Sequence, residues 1–145
     1  MDMTPTIAIH LSASLAAVLI GPVALWARRG HADGARPGQR QHVRLHRAAG
    51  YAWVTLMLAS AISALFIRDF RLPNVWGYTP IHLLIPLTLG SLGVAFRALH
   101  KGQIRRHRIW MTSLYVSACL VAGAFTLLPG RFLGQWVWGG WLGWI

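Results

Sequence analysis

The sequence predicts an all-α protein, a bundle of four transmembrane helices. Three observations carry this. The chain has 145 residues, of which 55% are hydrophobic and only 12% charged, about half the charge fraction of an ordinary soluble domain. The apolar residues gather in four blocks, Ile7–Trp26, Ala48–Ile67, Ile81–Leu99 and Ile109–Leu128, each about the 20 residues a helix needs to cross a bilayer. Within hydrocarbon the backbone must satisfy its own hydrogen bonds, so each block is expected to be a helix. The third observation is where the charge sits.

The net charge of +11 would suggest nucleic acid if it were spread evenly. It is not. Arg28, Arg29, Arg36, Arg40, Arg44 and Arg47 fall between the first two blocks, and Arg97, Lys101, Arg105, Arg106 and Arg108 between the last two. Only Arg68, Arg71 and Arg131 lie elsewhere. Short loops rich in Lys and Arg stay in the cytoplasm. The expected topology is therefore multi-pass in a bacterial inner membrane with both termini outside. The basic loops are read as topology signals that touch anionic lipid, and no nucleic-acid partner is expected.

The helices are expected over about 7–27, 46–67, 81–99 and 107–128, within a membrane domain of residues 1–130. The first follows Pro5 and ends near the WARRG stretch. No cleavable leader is expected, because no basic residue precedes this block. Helix two follows a Gly/Pro-rich loop and can begin as early as His42. An outer loop with Pro73, Trp76, Tyr78 and Pro80 leads to helix three, where aromatic residues suit the membrane interface. Pro86 should kink that helix, since its ring opposes the carbonyl of His82. Residues 131–145 carry Trp136, Trp138, Trp141 and Trp144 among glycines. They are too few to span and read as an interfacial anchor.

The two halves echo each other. Ile9-His10-Leu11 opens helix one and Ile81-His82-Leu83 helix three, and a glycine follows each histidine by eleven residues, Gly21 and Gly93. Both basic loops end in His-Arg, at His46-Arg47 and His107-Arg108. The chain thus reads as two helical hairpins of one orientation, a parallel repeat about an axis along the membrane normal.

The four repeated histidines are the candidate site. His10 and His82 are placed near the outer helix ends, His46 and His107 near the inner ends. Two imidazoles from different helices can grip one iron from both faces of a porphyrin, so each pair is a candidate bis-histidine site for haem b. Small residues, Ser14 after His10 and Gly50 after His46, would leave room for the macrocycle. Arg47 and Arg108 could hold its propionates. Each histidine could equally be an amphipathic side chain at a helix end. His42 and His46, one helical turn apart, form a competing metal site, with His31 and His100 on the same side.

The absences matter too. There is no glutamate, and the only acids are Asp2, Asp33 and Asp69, none within an apolar block. Paired-carboxylate catalysis is excluded, and so are the intramembrane acids usual in proton-coupled transport. Ser113 and Tyr115 have no acid to complete a nucleophilic triad. Cys119 stands alone, and no C-x-x-C-H attaches a c-type haem.

On IHL at His10, HRAAGY, PIHLL, RRHRIWM and VAGAFTLLPGR, the chain resembles a bacterial integral membrane family of unknown function, the one numbered 2306. The likeness runs to about Gly134. It implies family histidines at His10, His46, His82 and His107 and a family aromatic at Tyr51. Many members have an arginine after the HRxWM motif, where this chain has Ser113 or its neighbours, and the Trp-rich tail falls outside the pattern. The resemblance implies a four-helix membrane protein with no established activity. The functional expectation is a small redox carrier with two haem b groups and a redox partner. The alternative is a cofactor-free scaffold that assembles a membrane complex, and the next a metal-binding protein. The oligomeric state is not readable.

Overall fold

The computed structural model describes residues 4–27, 39–68, 70, 75–128 and 132–143. Several residues used above lie outside it: the three acids, His31, Arg28, Arg29, Arg36, Arg71, Arg131 and Trp144. The described chain is helical, with no strand beyond an isolated bridge between Val75 and Tyr78. Helix α1 covers Pro5–Ala27 and α2 Gln39–Ala64. A 3-10 turn at Pro80–Leu83 runs into α3, Leu84–His100. Helix α4, Ile104–Leu114, continues through a π-helical segment, Tyr115–Val121, into α5, Ala122–Thr126. The tail forms α6, Phe132–Gln135, and a further π turn, Trp136–Trp141.

Among the described residues three stretches are long and apolar enough to cross a membrane: Pro5–Ala27, Pro80–His100 and Ile104–Thr126. The fourth expected span, α2, is not among them. At 26 residues it reaches about 39 Å at 1.5 Å per residue, so length is not the reason. It starts seven residues before the expected position, and its opening turns are rich in Gln, Arg and His. Its apolar part is diluted by Ala, Ser, Gly and Tyr. Polar residues are good helix formers outside hydrocarbon, so the helix extends where hydropathy does not. It ends earlier than expected, in 3-10-type bonds from Leu65, Phe66 and Ile67 back to Ile62, Ser63 and Ala64.

The helices touch in ring order: α1 on α2, α2 on α3, α3 on α4, and the π segment back on α1. Small residues mediate the closest pair. Ala13, Ala17 and Gly21 form the buried stripe of α1, and Ala49, Trp53, Met57 and Ala61 the buried stripe of α2. Such spacing lets helix backbones approach where no water drives association. The core is Ala17, Trp53, Met57, Leu92, Leu114 and Cys119, with Cys119 Sγ 3.7 Å from Met57 Sδ. Leu15, Leu19, Leu58, Ile62, Leu89 and Val116 point outward, the arrangement lipid solvation allows.

Pro86 resolves differently from expectation. Pro86 sits at the third residue of α3, where an N–H has no helical partner anyway. The kink expected from it is replaced by the 3-10 turn ahead of α3. Pro22 lies well inside α1 and cannot donate to the carbonyl of Val18. The Tyr115 hydroxyl supplies the missing donor, at 3.1 Å. The tyrosine ring passes so close to Gly21 that a methyl group there would collide with it. A Cβ on Gly93 would meet open space, so the two repeat glycines are not equivalent.

The α3–α4 turn is fixed by Gly102, at φ +70°. Gln103 N–H donates to Ala98 O at 2.8 Å and Gly102 N–H to Leu99 O at 3.0 Å, which is a Schellman motif. At the far end Trp138 Nε1–H donates to Leu127 O at 2.6 Å. Gly134 lies against the Leu128 carbonyl with no room for a side chain. The tail thus folds back on the end of α5.

Candidate functional site

His46 is half-buried on α2, and its Nδ1 lies 2.9 Å from the Ala24 carbonyl of α1. His107 is half-buried on α4, and its Nδ1 lies 2.9 Å from the Ala95 carbonyl of α3. Each ring therefore leans on the helix before its own, a few residues from that helix's C-terminal end. His10 does the same from α1, with Nδ1 2.9 Å from the Ser60 carbonyl of α2. A carbonyl oxygen only accepts, so Nδ1 carries the proton in all three rings. Nε2 is then the atom with the free lone pair, and among the described residues no group bonds it.

This is the tautomer that a metal-ligating histidine needs. Its N–H is held by an outer-shell acceptor, which sets the ring plane and makes the opposite nitrogen more basic.

His82 behaves differently. Thr79 N–H donates to its Nδ1 at 3.1 Å, and its Nε2 lies 3.0 Å from the Ile67 carbonyl. Nδ1 is the acceptor here and Nε2 the donor, the reverse of the other three. The Thr79–His82 pair forms a reciprocal capping box at the start of the 3-10 turn. The ring also meets Tyr78 edge-on at 5.0 Å, and the Arg68 guanidinium sits 3.8 Å over the Tyr78 ring.

The surroundings are mixed. A Cβ on Gly50 would touch nothing. Ser14, expected to leave room near His10, instead bonds Ser60 Oγ at 2.8 Å. Ser63 Oγ adds a contact to His10 Nδ1 at 3.2 Å. Arg47 and Arg108, beside His46 and His107, are exposed. His42 is half-buried, its ring edge-on to Trp26 at 5.5 Å and its Nδ1 buried without a hydrogen bond. Among the described residues no third His, Cys, Asp or Glu joins His42 and His46.

Sequence reasoning missed the interlock of Pro22, Val18 and Tyr115. A proline inside an apolar block frees a carbonyl four residues back, and that was the available signal. It also missed the clasp of Arg68, Tyr78 and His82, which depends on a turn with Trp76 at φ 56° and Gly77 at φ 82°.

Long apolar helices with polar histidines tucked inward define a multi-helix integral membrane protein. A family model described as "Predicted membrane protein (DUF2306)" matches residues 7–144, so the chain belongs to that family, whose function is unknown. The match reaches through the tryptophan-rich tail, which corrects the expectation that the tail lies outside the family pattern. No curated protein and no solved structure matches the chain.

Proposed function

We propose that this protein binds haem b between its helices and carries electrons through the membrane. The observation behind this reading is the shared state of His10, His46 and His107: each has Nδ1–H tied to a neighbouring helix's carbonyl and leaves Nε2 open. Three rings at helix ends with the same tautomer favour ligation over three unrelated interfacial histidines. The inner level pairs His46 with His107, and Arg47 and Arg108 beside them would hold propionates by charge-assisted bonds. At the outer level His10 meets the same criterion. When bound, haem supplies a one-electron ferric/ferrous couple, and levels near both faces would pass an electron across the bilayer.

Topology belongs to the same proposal. With α2 as a fourth span, the ring of helix contacts is a four-helix bundle of two hairpins. The basic ends, Arg44, Arg47, Arg97, Lys101, Arg105, Arg106 and Arg108, then face the cytoplasm of a bacterial inner membrane, with both termini outside.

A second reading is a cofactor-free scaffold. One observation favours it: Leu120, Val121, Ala124, Phe125 and Leu128 line an outward apolar groove of about 390 Å³.

An absorption spectrum of protein purified from haem-replete cells separates the two. The haem reading expects a Soret band that shifts on dithionite reduction. A colourless protein that co-purifies with one defined membrane protein would leave the scaffold.

A further inference from the structure

We propose that His82 is an acid-sensitive latch on the segment joining α2 to α3: the neutral ring holds the segment, and the protonated ring releases it. The latch needs no haem. Both nitrogens of His82 are already engaged, one by the Thr79 N–H and one by the Ile67 carbonyl, so neither is open to ligate iron.

His82 stands at the third position of the capping box at Pro80–Leu83, where it accepts from the Thr79 N–H at 3.1 Å. Glu or Gln usually fills that position and accepts through an oxygen. An imidazole accepts only while one of its nitrogens is bare. Nε2 lies 3.0 Å from the Ile67 carbonyl, so Nε2 carries the proton and Nδ1 is the bare nitrogen. The next proton goes to Nδ1 and sets a donor against the Thr79 donor. The Thr79 carbonyl and hydroxyl lie 3.2 and 3.3 Å from Nδ1, so the charged ring turns to them and leaves the amide. Thr79 is buried, and a buried N–H without a partner is disfavoured.

The other three rings lack this property. His10, His46 and His107 donate through Nδ1 to carbonyls, so a proton arriving at Nε2 breaks no bond. Acid therefore acts on one histidine of the four. The groups around it add to the effect. Tyr78 meets the ring edge-on at 5.0 Å and carries the Arg68 guanidinium 3.8 Å over its own ring. On α1 the titratable neighbour is His10, which bonds Ser60 near the same end of α2. The described residues include no carboxylate, so a positive His82 meets Arg68 with no described acid to offset it. Arg68 is also the side chain that holds the turn, through the Trp76 carbonyl at 2.8 Å. Protonation thus loosens the turn at the end of the bundle opposite the basic α3–α4 turn.

The test is hydrogen exchange on the full-length protein in detergent, read as protection factors so that the intrinsic pH dependence of exchange is removed. Measurements at about pH 8 and about pH 5 bracket the charge change of histidine. The wild type should lose about fivefold protection at the Thr79 amide in acid, the factor for one net hydrogen bond. The Gln103 amide, which closes the opposite turn on Ala98, should keep its protection. His82→Gln places an amide that both accepts and donates without titrating, and should hold Thr79 equally at both pH values. His10→Gln should respond as the wild type does. If His82→Gln fails to fold, nitrogen NMR of the wild-type imidazoles decides: His82 Nδ1 should gain its proton as the Thr79 amide opens. Protection at Thr79 that ignores pH overturns the proposal. So does a loss that persists in His82→Gln, one abolished by His10→Gln, or one shared equally by Gln103.

Discussion

The Tyr115 hydroxyl donates to the Val18 carbonyl at 3.1 Å, and that carbonyl is free because Pro22, four residues on, has no N–H to give. The pair links α1 to the fourth helix of the chain at mid-depth. In hydrocarbon no water could take the place of the tyrosine. The π segment begins at Tyr115, and Ser117 Oγ–H returns to the Ser113 carbonyl at 2.9 Å, so the widened turn keeps some of its own polar groups paired. Widened turns of this kind cluster where a helix serves a local need, and here the need is to bring Tyr115 onto Val18.

Tyr115→Phe should lower unfolding stability in detergent by about 1 kcal/mol, the scale of an interhelical hydrogen bond in a membrane protein. In a Pro22→Ala background the same substitution should have little effect, because the backbone there regains an N–H that donates to the Val18 carbonyl. Chemical denaturation of the four proteins measures the coupling. Equal losses in both backgrounds would contradict the account.

Gly21→Ala puts a methyl into the Tyr115 ring, an overpacking that typically costs about 1–3 kcal/mol. Gly93→Ala points into open space and replaces glycine in a helix, so it should be neutral or slightly stabilising. Melting temperatures in one detergent distinguish the two. Matching losses would mean that both glycines do the same work.

These positions show what the sequence carries and what it hides. Apolar length marked α1, α3 and the fourth helix to within a few residues, because burial in lipid demands long uninterrupted runs. It misjudged α2, whose opening turns are charged and helical at once. The four histidines were legible as a set that recurs at matching places in the two halves of the sequence. Their tautomers were not, since those follow from which carbonyl a neighbouring helix presents: Ala24, Ala95 and Ser60 in three cases, Ile67 in the fourth. The Gly21/Gly93 correspondence was legible as spacing, but only one of the two faces a tyrosine.

Gly102→Ala should destabilise the α3–α4 turn by about 1 kcal/mol or slightly more, because φ +70° suits glycine and strains alanine. Hydrogen exchange should show faster opening at the Gln103 and Gly102 amides, which close the turn on Ala98 and Leu99. Unchanged protection there would contradict the Schellman assignment.

A topology with the basic ends in the cytoplasm predicts one-sided labelling. Cys119 is buried and should stay silent toward an impermeant maleimide. Lys101→Cys should react only in inside-out vesicles, and Val75→Cys only in right-side-out ones. The reverse pattern would invert the protein in the membrane.

On the proposed reading His46 and His107, each pinned through Nδ1 to the helix before it, hold one haem between them. The most direct measurement is haem per chain by pyridine haemochrome, for the wild type and for His46→Ala and His107→Ala. The account predicts that either substitution alone removes the same share, about half, and that both together remove no more. Haem content unchanged by either substitution, or no haem in the wild type, would contradict it.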